Sequence, residues 1–203
     1  MKKSLYPYDR GNVFQLFRIS FLLDRPLKIF SQQIFFKIKF LKSKKGLHFG
    51  NIHSFAEKVM ALIKQYEINP YHVIFEITET TFIHNIKAVN EMICFFHEQN
   101  IRISMDDFGS GYSSLNALKD ILFDEVKIDK RFLSDELSEN GKIVLQEIFH
   151  LLKRTNKSIV CEGVETKEMV DFLVEEGCDE LQGYYYYKPM SQNAFEKLLE
   201  NIV

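Results

Sequence analysis

Two carboxylates stand side by side in SMDDFGSGYSSL (residues 104–115): Asp106 and Asp107, followed at once by a run of Gly and Ser. Successive strand residues point to opposite faces, so a strand interior cannot aim both at one target, whereas a bend at a strand end can. Four other short apolar runs also end in a charged or amide residue: Glu76, Lys127, Glu162 and Gln182. Two adjacent Asp joined by two Glu form an oxygen-rich set, the chemistry that suits hard divalent cations such as Mg²⁺ or Mn²⁺.

These residues meet only if their strands are parallel neighbours. From Phe55 onward the chain alternates helical stripes with short apolar strands. FAEKVMALIKQYE carries apolar residues at 55, 59, 62, 63 and 66 and is stopped by Asn69-Pro70. HVIFEITE, IRISMDD, EVKID, SIVCEGVE and DELQGYY are the expected strands, the tyrosines of residues 184–187 being expected to extend the last and pack on both faces. Between and after them, IKAVNEMICFFHEQ, GKIVLQEIFHLLKRT, TKEMVDFLVEE (stopped by Gly177) and QNAFEKLLENI are the helices, with a short helical segment after the Gly/Ser loop. Five βα units of this kind predict an α/β fold with a parallel sheet covered by helices. The carboxyl ends of such strands lie on one face, so residues roughly 20 to 35 positions apart converge there.

The chain has 203 residues, 46% hydrophobic, with formal net charge −2, ordinary for a globular protein with one sizeable core. Cys94, Cys161 and Cys178 are odd in number and form no CxxC pair, which predicts a reducing compartment, the cytoplasm. The longest clean apolar run near the N-terminus, ISFLL, is too short for a signal-peptide core or a membrane span, and no transmembrane segment is expected. Charge is divided unevenly: residues 1–54 hold 11 Lys/Arg, 2 Asp and no Glu, against 15 Lys/Arg and 26 Asp/Glu in the remainder. We therefore read 1–54 as a basic, aromatic-rich head of different origin and 55–203 as the α/β domain, with no nucleic-acid partner expected.

FEITET (75–80), DDFGSGYSSL (106–115), VKIDKRFL (126–133), CEGVET (161–166) and LQGYYYYKP (181–189) resemble, in order and at similar spacing, five motifs of the EAL-domain family, bacterial phosphodiesterases of cyclic di-GMP. The resemblance implies a (βα)8 TIM-barrel-like fold, here incomplete at its N-terminal side, in which two Mg²⁺ or Mn²⁺ ions cut cyclic di-GMP to linear pGpG. Paired cations would polarise the phosphoryl oxygens and acidify a bound water. By matching motif, Glu76 and Asp106 would ligate one ion, with Asp106 shared and Asp107 serving the second, which Glu162 would support. Lys127 would position and help deprotonate the attacking water, and Gln182 would hold a metal-bound water. Glu79 would tie down the loop that includes Phe108, Gly109, Ser110 and Gly111, and Asp129 would contact that loop.

Plainer readings exist for each residue taken singly. A lone carboxylate at a strand end can cap a helix, and Lys127 could simply bridge charges across the mouth. DFG also occurs in protein kinases, but no Gly-rich loop, HRD or VAIK accompanies it. The six His show no metal-ligand spacing.

The sequence also departs from the family pattern. The family's Glu-x-Leu supplies a metal ligand from an early strand, and residues 1–54 contain no Glu. A second ligand, an Asn on the next strand, has no counterpart in QIFFKIKFL, which offers Lys37 and Lys39. A cation there opposes metal binding. A βα unit needs about 30 residues, so 54 residues hold at most two of the three units a closed barrel still requires. Residues 34–41 are expected to pair beside the strand ending in Glu76, and residues 1–12 to be poorly ordered. Two readings remain open: a cyclic di-GMP phosphodiesterase with weak or lost activity, or a degenerate or truncated domain that binds the nucleotide or a protein. The mouth-side loop and an open sheet edge are the expected contact points for a protein partner or a second copy.

Overall fold

The computed structural model describes residues 21–22, 52–78, 86–109, 114–133, 138–191, 194–195 and 197–198. Five parallel strands lie side by side in chain order: β2 (Ile74–Thr78), β3 (Arg102–Phe108), β4 (Glu125–Ile128), β5 (Ser158–Glu162) and β6 (Glu180–Gln182). A two-residue strand, β1 (Phe21–Leu22), pairs antiparallel with β6. Its helices are α1 (Ile52–Gln65), α2 (Ile86–Glu98), α3 (Ser114–Asp120), α4 (Glu139–Arg154) and α5 (Lys167–Glu175). This is the α/β order expected from the apolar periodicities, and all five expected parallel strands form.

Parallel pairing puts register partners on the same face of the sheet, and the pattern separates two environments. Phe75, Ile77, Ile103, Met105, Val126, Ile128, Ile159, Cys161 and Leu181 are all buried and join the helices in one hydrophobic core. Each long helix turns a stripe toward that core at the i, i+3, i+4, i+7 spacing: Val89, Met92, Ile93 and Phe96 on α2, and Ala56, Val59, Met60 and Ile63 on α1. Phe96 stacks on Phe75 with ring centroids 4.5 Å apart, which fixes α2 against β2. The other face carries Glu76, Ser104, Asp106, Glu125, Lys127, Glu162, Glu180 and Gln182 together with Ile74 and Val160, so mostly polar side chains line the side away from the helices.

The last strand is shorter than expected. β6 ends at Gln182 and Tyr184–Tyr186 form a turn, with Tyr184 56% and Tyr185 42% exposed. The reason lies in the hydrogen bonding: Val164 N–H donates to Gln182 O at 3.1 Å, Tyr185 N–H to Val164 O at 3.0 Å and Tyr186 N–H to Gly183 O at 3.2 Å. These bonds bend the chain across the β5 loop, so the tyrosines do not pack on both faces of a strand. Residues 34–41 and 1–12 lie outside the described residues. Among the described residues no helix is long and apolar enough to cross a membrane, and Cys94, Cys161 and Cys178 are free thiols.

Candidate metal centre at the strand ends

The two aspartates are placed by a bulge. Met105 of β3 pairs with Val126, and Phe108 pairs with Ile128, so Asp106 and Asp107 together oppose Lys127 alone. An extra residue on one strand bends it and re-aims a side chain. Asp107 takes φ 60°, a left-handed conformation that Asp tolerates better than most residues. Strand alternation would have sent the two carboxylates to opposite faces, and the bulge removes that separation. The strand then continues through Phe108, so the bend lies inside β3 rather than at its end.

Lys127 sits at the centre of the cluster. Its Nζ donates to Asp106 Oδ1 at 2.8 Å, lies 3.0 Å from Glu76 Oε1, and forms an ion pair with Glu162 Oε1. The Lys127 side chain is 0% exposed, Glu76 3% and Asp106 2%, whereas Glu162 is 22% exposed at the rim. An ammonium this deep is tolerable only because three carboxylates surround it. Carboxylate oxygens of Asp106, Asp107 and Glu162 all lie within 4.8 Å of one another. Three carboxylates share the one ammonium of Lys127, and Asp107 adds a fourth anion that also feels the Arg131 guanidinium.

Gln182 completes the set. It pairs in register with Glu162, on the same face, and its Oε1 is buried without a hydrogen-bond partner among the described residues. A buried carbonyl oxygen left in this state on the strand beside Glu162 fits a donor for a hard cation or for water bound to one.

Asp129 plays a local part. Its Oδ1 accepts from Arg131 N–H at 2.8 Å and Nε–H at 2.9 Å, its Oδ2 from Nη2–H at 3.0 Å, and its own N–H donates to Phe108 O at 3.5 Å. The Arg131 hydrogen bonds hold its carboxyl below the usual range, and burial opposes them. Its side chain therefore caps the 3-10 turn Lys130–Phe132, and its contact with the β3 loop is made by the backbone. Phe108 is buried and Gly109 exposed. Glu79, Ser110 and Gly111 lie outside the described residues. The sequence reading assigned no part to Lys130 and Phe132, although both stand inside the VKIDKRFL motif and Phe132 meets Gly109 edge-on. An open groove along α2, bordered by Asn90, Cys94 and Phe95, lies apart from this cluster.

The EAL domain profile matches residues 41–189. The chain belongs to the EAL-domain family. Among curated EAL relatives, it is 34% identical over 141 residues to the cyclic di-GMP phosphodiesterase RocR of Pseudomonas aeruginosa, covering 69% of this chain and 36% of RocR. It is 35% identical over 147 residues to the probable cyclic di-GMP phosphodiesterase PdeI of Escherichia coli, covering 70% of this chain and 18% of PdeI. The chain thus spans about a fifth to a third of the length of these relatives. Among solved structures, it superposes on the EAL domain of Mycobacterium smegmatis DcpA with a TM-score of 0.72 at 26% identity, covering 82% of this chain and 72% of that one. The PaMucR phosphodiesterase, solved as a c-di-GMP complex, gives a TM-score of 0.68 at 30% identity, covering 78% and 63%. Among the described residues, the parallel arrangement of β2 to β6 is therefore that of part of a TIM-barrel-like EAL fold.

Proposed function

We propose that the strand-end cluster of this EAL domain binds cyclic di-GMP together with one divalent cation, Mg²⁺ or Mn²⁺, and that its hydrolysis to pGpG is weak or lost. The observation that carries this reading is the meeting of Asp106, Asp107 and Glu162 oxygens within 4.8 Å. Asp106, Asp107 and Glu162 would hold the cation, which supplies Lewis-acid polarisation of a phosphoryl oxygen when bound.

This chain's own groups would do the rest. Lys127 holds a proton-bearing ammonium between Asp106, Glu76 and Glu162, where it would position the attacking water. Gln182 would orient a water through its buried oxygen, and Glu76 would share the site of a first ion with Asp106. Residues 1–54 offer that first ion neither of the family's early ligands, since they contain no Glu and QIFFKIKFL has no Asn. Losing even outer groups of a metal site costs about 10 to 100-fold, and direct ligands at least as much. Glu79, Ser110, Gly111, Phe108, Gly109 and Asp129 are proposed to shape the mouth loop.

Residues 1–54 would form a basic head on the domain of 55–203, joined to it where Phe21–Leu22 pair with β6 and where α1 crosses the division, and the free cysteines support a cytoplasmic setting. The mouth-side loop and the open sheet edge are proposed as the contact points for a protein partner or a second copy. Sedimentation of the full chain tests it: a monomer at all concentrations removes the second copy.

Chromatographic assay of cyclic di-GMP with the full chain in Mg²⁺ or Mn²⁺ tests the main reading, alongside calorimetric titration of the nucleotide. Binding with little or no pGpG is expected. Robust turnover that Asp106→Ala abolishes would overturn the impaired-site reading, and absence of nucleotide binding would overturn the ligand.

A further inference from the structure

Just past Asp107 on β3 and Glu162 on β5, the chain abuts one three-residue turn, Lys130–Phe132, at a different residue in each case. Gly109 follows Asp107 by two positions, and a Cβ built on it would stand 2.0 Å from Phe132 Cε2 and 2.3 Å from Cζ. Gly163 follows Glu162 directly, and a Cβ there would stand 2.4 Å from Lys130 Cβ. Both glycines have positive φ, 86° and 72°. The edge of the Phe132 ring is thus seated on one ligand loop, and the Lys130 stem on the other. Side chains at either glycine would push the loops off the turn.

The turn between them is itself held firmly. Phe132 N–H donates to Asp129 O at 3.0 Å and Leu133 N–H to Lys130 O at 2.9 Å, while Leu133 is 1% exposed in the core. Asp129 grips Arg131 through three hydrogen bonds. One side of the turn is therefore anchored to the core and the other is placed between the two ligand loops.

We propose that the turn Lys130–Phe132 is a spacer that sets the separation of Asp107 from Glu162, with Phe132 and Lys130 as positioning residues acting through Gly109 and Gly163. Phe132 carries no charge and acts on the shape of the site, and Lys130 acts through its stem packed on Gly163. The spacer deepens the metal-site reading given above and rests on it only for the affinity readout.

The test uses the full chain in four variants: Phe132→Ala, Phe132→Leu, Gly109→Ala and the double Gly109→Ala/Phe132→Ala. Free Mn²⁺ is followed by electron paramagnetic resonance, and amide exchange is followed at 107–109, 162–164 and, as a reference, 74–78. Phe132→Ala should weaken Mn²⁺ binding about tenfold or more and speed exchange at 107–109 while leaving 74–78 unchanged. Phe132→Leu should recover part of both. Because Gly109→Ala and Phe132→Ala disturb one contact, the double variant should lose less than the two single losses combined. Unchanged Mn²⁺ affinity and exchange in Phe132→Ala, or strictly additive losses, overturn the spacer. Should the unaltered chain bind no Mn²⁺, the metal reading fails and the exchange pattern alone decides the spacer.

Discussion

Lys127 Nζ lies 2.8 Å from Asp106 Oδ1 with both side chains excluded from solvent, and Glu76 and Glu162 close around the same ammonium. This pair ties β3 to β4 directly opposite the bulge that turns Asp107 inward. The lysine and the bulge are therefore one arrangement: two anionic residues on β3 stand against a single cationic residue on β4. The ammonium neutralises part of a charge that would otherwise be costly to bury.

Removing that ammonium should be severe. Lys127→Met keeps most of the volume but leaves Glu76 and Asp106 buried without their cation, and breaking such a pair costs about 3–5 kcal/mol. Urea unfolding at neutral pH should register that loss, with part of it recovered by Mn²⁺, which would take over the neutralisation. A variant as stable as the unaltered chain would show that the trio is not held by charge.

Asp107 separates backbone from charge. Its φ of 60° is tolerated by Asn and Asp, whereas Ala in the left-handed region costs about 1–2 kcal/mol. Asp107→Asn should stay within about 0.5 kcal/mol of the unaltered chain in denaturant unfolding. Asp107→Ala should fall below it by the backbone cost. Both should lose Mn²⁺ affinity, since neither offers the carboxylate, and equal stability of the two would argue against a strained bulge.

Acid should loosen the 3-10 turn. Hydrogen bonds from Arg131 hold the Asp129 pKa below its usual 3.8, so its folded value lies under its unfolded one. The stabilisation is then fully present above the unfolded value and is lost as pH falls through the lowered native value. Thermal unfolding between about pH 4 and pH 2 should therefore be steeper in pH for the unaltered chain than for Asp129→Asn. Arg131 is 60% exposed, so solvent screening keeps the difference small.

Cation binding should also appear as stability. An ion that binds only the folded chain adds about 2.7 kcal/mol at a hundred times its dissociation constant. Mn²⁺ should raise the thermal midpoint, a chelator should reverse the rise, and Asp106→Ala should abolish it. An equal rise in Asp106→Ala would place the ion elsewhere.

The sequence was sufficient for the elements and for the identity of the clustered residues. Helical stripes such as Val89, Met92, Ile93 and Phe96 and the five apolar strands obey periods of 3.6 and 2, which depend on neighbours along the chain. The meeting of Glu76, Asp106, Lys127 and Glu162 followed because parallel strands share a direction, although only Glu162 and Gln182 end their strands. The tyrosine run misled for the opposite reason. Its composition favours a strand, but hydrogen bonds with Val164 on a different loop bend it into a turn. Likewise DD names two carboxylates without saying that a bulge against Lys127 gathers them, because register is a relation between two strands. The seating of Phe132 on Gly109 was equally invisible: the contact joins residues 23 positions apart and depends on the ring's approach to a backbone that carries no Cβ. Local periodicity thus determined which elements form and which residue types stand at their ends. Register, bulge and loop-to-loop packing were decided only in three dimensions, where distant segments compete for the same space.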